Sequence, residues 1–116
     1  MTKNPDGTYL TPVQIVRVLL DELDGFDRSR LRREVLTAED MVQFHLTAGM
    51  GIRNRFGLWD KENPHTVNDA EPNEQGIVDH PRHPDNLSGA ILEALWMCVV
   101  TGVSPEVACQ AKDIDQ

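Results

Sequence analysis

The chain has 116 residues, of which about two-fifths are hydrophobic, and 19 acidic against 11 basic residues give it a net charge of −8. This length fits one domain, and the acidic surplus argues against general binding to a phosphate backbone, which relies on Lys and Arg. No segment approaches the ~20 apolar residues of a membrane span, and the start MTKNPDGTYL lacks the pattern of a signal peptide. Cys98 and Cys109 form no CxxC pair. We therefore expect a cytoplasmic protein with reduced thiols.

The first helix is predicted after a lead, residues 1–10, that we expect to be flexible. Thr11 is a good N-cap, and Pro12 suits the first helical position because its missing N–H costs nothing there. Apolar residues recur at helical spacing along one face, and Gly25 is the predicted stop. The residues of that face are Val13, Ile15, Val16, Leu19, Leu20 and Leu23.

Four arginines then fall within six residues: Arg28, Arg30, Arg32 and Arg33. They could form an anion or nucleic-acid patch, or they could lie on a short solvated helix and pair with nearby acids such as Asp27 and Glu34. We favour the solvated helix, because no aromatic residues are interleaved and the surrounding chain is acidic.

The second long helix is predicted over 38–56, with Thr37 as its cap and Gly57 as its stop. One stripe carries Met41, Phe44, Ala48, Ile52 and Phe56, with His45 beside it. Gly49 and Gly51 lie inside this helix, where each costs roughly 1 kcal/mol relative to alanine. Such glycines let another backbone approach, so we predict that a second helix crosses here.

Residues 60–82 show no helical period and are longer than most connections within a domain. Six acids against two bases make this segment a long acidic loop, which is either functional or partly disordered. Its acids are the candidate partner-binding residues: Asp60, Glu62, Asp69, Glu71, Glu74 and Asp79.

A third long helix is predicted from Pro84 to 101, closed by Gly102. It is apolar almost all round, so it should be the central buried helix or line a homo-oligomer interface. Ser88, Gly89 and Ala90 would be the counterpart of Ala48, Gly49 and Gly51 at the helix crossing. A short helix beginning at Ser104-Pro105 should fray into a tail at 113–116. The chain is thus predicted to be a single all-α domain, 1–116, of four to five helices.

The histidines could suggest a metal site, since His80, His83 and Asp85, with His65 upstream, offer imidazoles and an oxygen. However, proline follows both His80 and His83 and restricts each backbone, and no recognised zinc spacing completes the set. We expect no metal and no cofactor. His83 is predicted to cap a helix or pack in the loop, and His45 to be a core histidine.

Two sets of motifs give a resemblance to a known family. His45-x-x-x-Gly49, Ile52-Arg53-Asn54, Gly57-Leu58-Trp59 and His83-Pro84-Asp85-x-x-Ser88 resemble a family of small uncharacterised α-helical proteins from bacteria and their phages. The resemblance covers 37–59 and 83–95, under half the chain. It implies the helical fold and the pairing of the two motifs, and it implies no reaction.

If the two motif helices cross, the guanidinium of Arg53 should reach the carboxylate of Asp85, which a planar fork can bond at two points. The predicted polar cluster is His45, Arg53, Asn54, His83, Asp85 and Ser88. We expect it to be structural, and breaking a buried pair of this kind would cost ~3–5 kcal/mol.

Two classes of function remain open. The first is a non-catalytic acidic interaction protein, carried by a phage or mobile element, that binds a host protein or nucleoprotein complex as an anti-CRISPR-like inhibitor would. It would neither bind nucleic acid directly nor enter a membrane. The second is a small hydrolase or metal-dependent enzyme using His45, Arg53, His83 and Asp85. We favour the first, because the histidines lack metal spacing and the chain offers little room for a substrate pocket.

Overall fold

In the computed structural model, the described residues are 1–23, 25, 28, 29, 33 and 48–115. Helix α1 spans Pro12–Glu22, α2 is described over 48–55, α3 spans Pro84–Thr101 and α4 spans Pro105–Ala111. Positions 25, 28, 29 and 33 also have helical backbone, and no strand occurs in these ranges. The predicted all-α single domain is confirmed. The first half of the predicted helix 38–56, including His45, lies outside the described residues, as do Arg30 and Arg32.

Each helix with a described start begins with a capping residue followed by proline. Thr11 and Gln14 form a capping box at α1, in which each side chain bonds the backbone of the other. At α4 the Ser104 hydroxyl accepts a hydrogen bond from the Val107 N–H. These starts confirm the predictions. The predicted end of α1 is wrong, because the helix ends at Glu22 and Leu23 turns into extended backbone two residues before Gly25.

Helix α3 is the central element, as predicted from its nearly continuous apolar sequence. It packs against both α1 and α4, and its buried residues recur every three or four positions along one face of the helix. They are Pro84, Leu87, Ser88, Ile91, Leu92, Ala94, Leu95, Cys98 and Val99. The two cysteines of the chain, Cys98 and Cys109, are free and buried, and burial raises the pKa of the Cys109 thiol to about 11.

The hydrophobic core joins all four helices around α3. Ile15 and Val16 come from α1, Ile52 from α2, and Phe56 and Leu58 from the turn that follows it. Burying each large side chain of this kind stabilises the fold by roughly 1.5–3 kcal/mol. Packing around α3 is therefore the main source of stability.

Ion pairs at the margin of the core link neighbouring helices. Arg17 of α1 pairs with Glu106 of α4. Arg55 of α2 lies 2.6 Å from Glu22 of α1, and Lys112, just after α4, lies 2.7 Å from Glu93 of α3. These pairs are partly exposed, so they orient the helices more than they stabilise them.

The lead and the tail, which the sequence predicts to be flexible and frayed, make contacts with the helices. The Thr2 N–H donates to the Arg55 carbonyl at 2.7 Å, and Tyr9 and Leu10 are buried. At the other end Ile114 is buried in the core, and its N–H donates to the Cys109 carbonyl at 2.9 Å. These contacts come from the apolar residues within the two polar segments.

The predicted crossing of α2 and α3 is present, and Gly49 lies at it. A Cβ atom at position 49 would lie 3.5 Å from the Ser88 hydroxyl of α3, an ordinary van der Waals distance, and 2.9 Å from Nη1 of Arg53. A Cβ atom at Gly51 would meet no described atom within 4 Å, and Gly51 is exposed. Of the two glycines, Gly49 is the one that leaves room for the Arg53 guanidinium beside Ser88.

We predict opposite effects for two matched substitutions in α2. Gly49→Leu should lower the free energy of unfolding by about 1–3 kcal/mol, because it forces Arg53 and Ser88 apart. Gly51→Leu should be neutral or stabilise the protein by up to about 1 kcal/mol, because it raises helix propensity at an open position. Urea and thermal unfolding of both variants measure this, and equal effects would exclude the proposed role of Gly49.

Candidate functional site

The turn that ends α2 sets the position of the motif residues. Gly57 has a φ of +67°, and the Leu58 N–H donates to the Arg53 carbonyl at 3.0 Å. A glycine in the left-handed region with this bond is the Schellman arrangement of a helix C-terminus. It confirms Gly57 as the stop. Phe56 and Leu58 point into the core, while Trp59 is exposed.

The predicted contact between Arg53 and Asp85 is present at the α2–α3 crossing. Nε of Arg53 lies 3.4 Å from Oδ1 of Asp85, and Nη1 donates to the Ser88 hydroxyl at 2.9 Å. The hydroxyl in turn donates to the Asp85 carbonyl at 3.0 Å. Arg53, Asp85 and Ser88 thus form one hydrogen-bonded cluster that joins α2 to the first turn of α3.

The Arg53–Asp85 pair lies at the protein surface and is not the buried pair expected from sequence. The Arg53 side chain is 19% exposed and the Asp85 side chain 60%. Water therefore screens the carboxylate, and the pair is worth ~1 kcal/mol or less in place of ~3–5 kcal/mol. The bond from Arg53 to the buried Ser88 is the more protected half of the cluster.

His83 is the N-cap of α3, which confirms its predicted capping role. Its Nδ1 accepts a hydrogen bond from the Asp85 N–H at 3.3 Å, so the ring proton of the neutral form is on Nε2. The Trp59 ring lies edge-on to His83, with 5.2 Å between ring centroids and 88° between ring planes. His83 thus lies between the indole of Trp59 and the first turn of α3.

Two members of the predicted polar cluster are not placed in it. Asn54 is exposed, and no hydrogen bond joins it to Arg53, Asp85 or Ser88. His45 lies outside the described residues.

The cluster offers little for nucleophilic or metal chemistry. The Ser88 hydroxyl donates to the Asp85 carbonyl and accepts from Arg53, so its proton is not directed at a base. Nδ1 of His80 accepts the Arg82 N–H at 3.0 Å, and Nδ1 of His83 is the cap. Within 1–23 and 48–115 there is no group of three or more His, Cys, Asp or Glu residues arranged to hold a metal ion.

The acidic loop 60–82 is held to the helices by asparagine side chains at its base. Asn63 is buried; its amide donates to the Gly57 carbonyl at 3.1 Å, and its side-chain oxygen accepts the His65 N–H at 2.9 Å. The Asn68 amide donates to the Trp59 carbonyl at 2.9 Å. The loop is therefore connected to the turn at Gly57 over its first nine residues.

The return half of the loop is held by α3. The Asn86 amide donates to the carbonyls of Val78 and His80 at 3.1 and 2.9 Å, and the Val67 N–H donates to the Arg82 carbonyl at 2.9 Å. Sequence reasoning missed Asn63, Asn68 and Asn86. Asparagine is a known turn former, but the distant carbonyls that these amides bond cannot be read from local sequence.

The loop tip folds on itself at 73–77. The Asn73 side-chain oxygen accepts the N–H groups of Gln75 and Ile77, and the Asn73 N–H donates to the Ile77 carbonyl at 2.8 Å. Gly76 takes a φ of +77° to close this turn. The tip presents Ile77, which is 56% exposed, between acidic neighbours.

The six candidate acids of the loop fall into two groups. Both carboxylate oxygens of Asp60 accept hydrogen bonds within the chain, one from the Tyr9 hydroxyl and one from the Glu62 N–H at 3.1 Å. The other five are exposed and have no ion pair with any described residue: Glu62, Asp69, Glu71, Glu74 and Asp79. Of the six loop acids, these five have carboxylates without a partner among the described residues.

Tyr9 and Asp60 join the lead to the loop, a contact that the sequence did not predict. The Tyr9 hydroxyl donates to the Asp60 carboxylate, and Nζ of Lys3 lies 4.5 Å from the centre of the Tyr9 ring. The bond to Asp60 raises the pKa of Tyr9 to about 12 and lowers the pKa of Asp60. Burial lowers the pKa of His65.

Comparison with known proteins identifies a family. The sequence model of the family described as Domain of unknown function (DUF6794) matches residues 17–98, which include both motif segments. The chain therefore belongs to this family. No curated protein and no solved structure matches the chain significantly. No helix in the described ranges is long and apolar enough to cross a membrane.

We predict unequal effects for the two partners of the ion pair. Arg53→Ala should lower the free energy of unfolding by about 1–3 kcal/mol, because it removes a charged hydrogen bond to buried Ser88. Asp85→Ala should cost about 1 kcal/mol, from the exposed pair and the helix dipole. The double variant should lose less than the sum.

Asn54→Ala is the matched control on the same helix, and it should change stability by less than about 0.5 kcal/mol. Urea unfolding measures all four variants. If Arg53→Ala kept wild-type stability and lost partner binding, the cluster would be a functional site and its predicted structural role would be wrong.

A second prediction uses the fact that Tyr9 is the only tyrosine in the chain. Its phenolate absorbance should appear with a midpoint near pH 12, and Asp60→Asn should move the midpoint towards 10. Because the pKa of the folded state lies above that of the unfolded state, stability should fall as the pH rises above 10. A wild-type midpoint near 10 at a pH where circular dichroism shows the protein folded would exclude the Tyr9–Asp60 bond.

Proposed function

We propose that this member of the DUF6794 family is a non-catalytic interaction protein that binds a basic surface of a protein or nucleoprotein partner through loop 60–82. The observation that carries the proposal is the contrast between five exposed loop acids and three glutamates of the helices. Glu22, Glu93 and Glu106 each pair with a basic residue on another element. The five exposed loop acids pair with no described residue. Their charge is left for a partner.

Because the loop is attached at both ends, it can bind a partner without a large loss of conformational entropy. Asparagine amides hold both of its ends, and its tip is closed by backbone bonds. A surface that is already ordered loses less conformational freedom on association than a disordered segment does. Exposed Ile77 would supply apolar contact area at the centre of the charged tip.

The charge of the partner surface follows from the charge of the loop. Like charges disfavour contact with nucleic acid, whereas a basic surface that normally holds nucleic acid is complementary to carboxylates. We infer a phage or mobile-element protein of the cytoplasm that occupies such a surface on a host complex, as an anti-CRISPR-like inhibitor would. The small size of the chain and its net charge of −8 support this inference.

The alternative hydrolase or metal enzyme receives less support from the same geometry. Nη1 of Arg53 donates to the Ser88 hydroxyl, the hydroxyl donates to the Asp85 carbonyl, and Nδ1 of His83 accepts a backbone N–H. A hydrolytic site would need at least one of them directed at a substrate.

The proposal is tested by site-specific photocrosslinking in host cells. A photoreactive amino acid at Glu71, on the loop, should capture one partner, and the same amino acid at exposed Gln110 of α4 should not. Changing the five free acids to their amides should abolish capture, and so should raising the salt concentration to about 0.5 M, because exposed charges are screened there. Capture of the same partner by the amide variant would overturn the proposed role of the loop charge.

A further inference from the structure

We infer that the exposed indole of Trp59, with the Asp85 carboxylate that shares its neighbour His83, is the docking point for an arginine side chain of the partner. This inference rests on the proposed function and goes further, because it names the chemical group that is recognised and the residues that recognise it. Apart from His83, no described residue has a ring contact with Trp59 or pairs with Oδ2 of Asp85.

Trp59 is exposed and held in place. Its residue surface is 47% exposed, although it directly follows the fully buried Leu58. Its carbonyl accepts the Asn68 amide at 2.9 Å, and its ring contacts His83, which is itself fixed as the cap of α3. A large aromatic ring that is both exposed and fixed is typical of the residues that dominate binding energy at protein interfaces.

Asp85 places negative charge near this ring, on the other residue that His83 contacts. Oδ1 faces Arg53 at 3.4 Å, whereas Oδ2 has no hydrogen bond to a described residue and lies 3.9 Å from Nδ1 of His83. Because that nitrogen already accepts the Asp85 N–H, it offers no proton to Oδ2 in the neutral ring. His83 contacts both groups, so the indole and Oδ2 flank the same imidazole.

The two halves of the loop bring further acidic residues into this part of the surface. Asp69 follows Asn68, which bonds the Trp59 carbonyl. Asp79 lies between the two residues whose carbonyls accept the amide of Asn86, the residue after Asp85. Loop 60–82 carries six acids against two bases, and an aromatic face in negative surroundings attracts a cation.

Arginine fits this site better than lysine. A guanidinium is planar, stacks on an indole and can bond a carboxylate at its edge at the same time. An ammonium is a strongly hydrated point charge and would satisfy only one of the two at close range. The site should therefore distinguish the two cations at equal net charge.

The test follows the two indole N–H signals of the ¹⁵N-labelled protein, since the chain has only two tryptophans. Acetyl-tetraarginine amide should shift the Trp59 signal to saturation and leave the Trp96 signal in place. Trp59→Leu should weaken binding of the peptide about fivefold, the value of an exposed cation–π contact, and Asp85→Asn about threefold. Acetyl-tetralysine amide should bind more weakly than the arginine peptide.

Val107→Ala is the matched control, because Val107 is a similarly exposed apolar residue on α4, and it should bind like the wild type. Thermal unfolding of each variant shows that it is folded at the titration temperature. If the loop amide signals move while Trp59 stays in place, the loop charge binds basic peptides and only the Trp59 site is overturned. If no signal moves, both the Trp59 site and a basic partner are overturned.

Discussion

The left-handed turn at Gly57 is the constraint on which the rest of the structure depends. A Cβ atom at this position would lie 3.1 Å from the Tyr9 ring, and the φ of +67° strains any other residue. The Gly57 carbonyl accepts the buried Asn63 amide, and the neighbouring Arg55 carbonyl accepts the Thr2 N–H. One turn therefore fixes the end of α2, the start of the loop and the path of the lead.

The same turn fixes Arg53 relative to α3. Its carbonyl is bound by Leu58, so the last turn of α2 is closed and the side chain projects towards Ser88 and Asp85. Gly49, one helical turn before Arg53, leaves room for the guanidinium beside Ser88. Local features of the sequence thus position the contact between Arg53 and Asp85, which are 32 positions apart. These features are the glycines Gly49 and Gly57 and the cap His83.

The difference between local features and contacts between distant segments explains what could be predicted from the sequence. Helix starts at Thr11 and Ser104, the stop at Gly57 and the burial of α3 follow from neighbouring residues, and all were predicted. The Arg53–Asp85 contact followed from pairing two helices, but its exposure depends on the shape of the whole surface, and its strength was overestimated. The Tyr9–Asp60 bond and the long-range amide bonds of Asn63 and Asn86 join segments with no shared periodicity, so no local pattern indicates them.

The residues that attach the loop differ from the five exposed acids that carry its unpaired charge, and this affects how the protein can evolve. Asparagine amides and Asp60 make the anchoring bonds at the base, and the bonds of the tip at 73–77 lie within the tip itself. Replacing the five exposed acids or the Ile77 side chain therefore removes no described contact with the core. A lineage can acquire substitutions there at little cost in stability, so its specificity for partners can diverge while the helical scaffold stays the same.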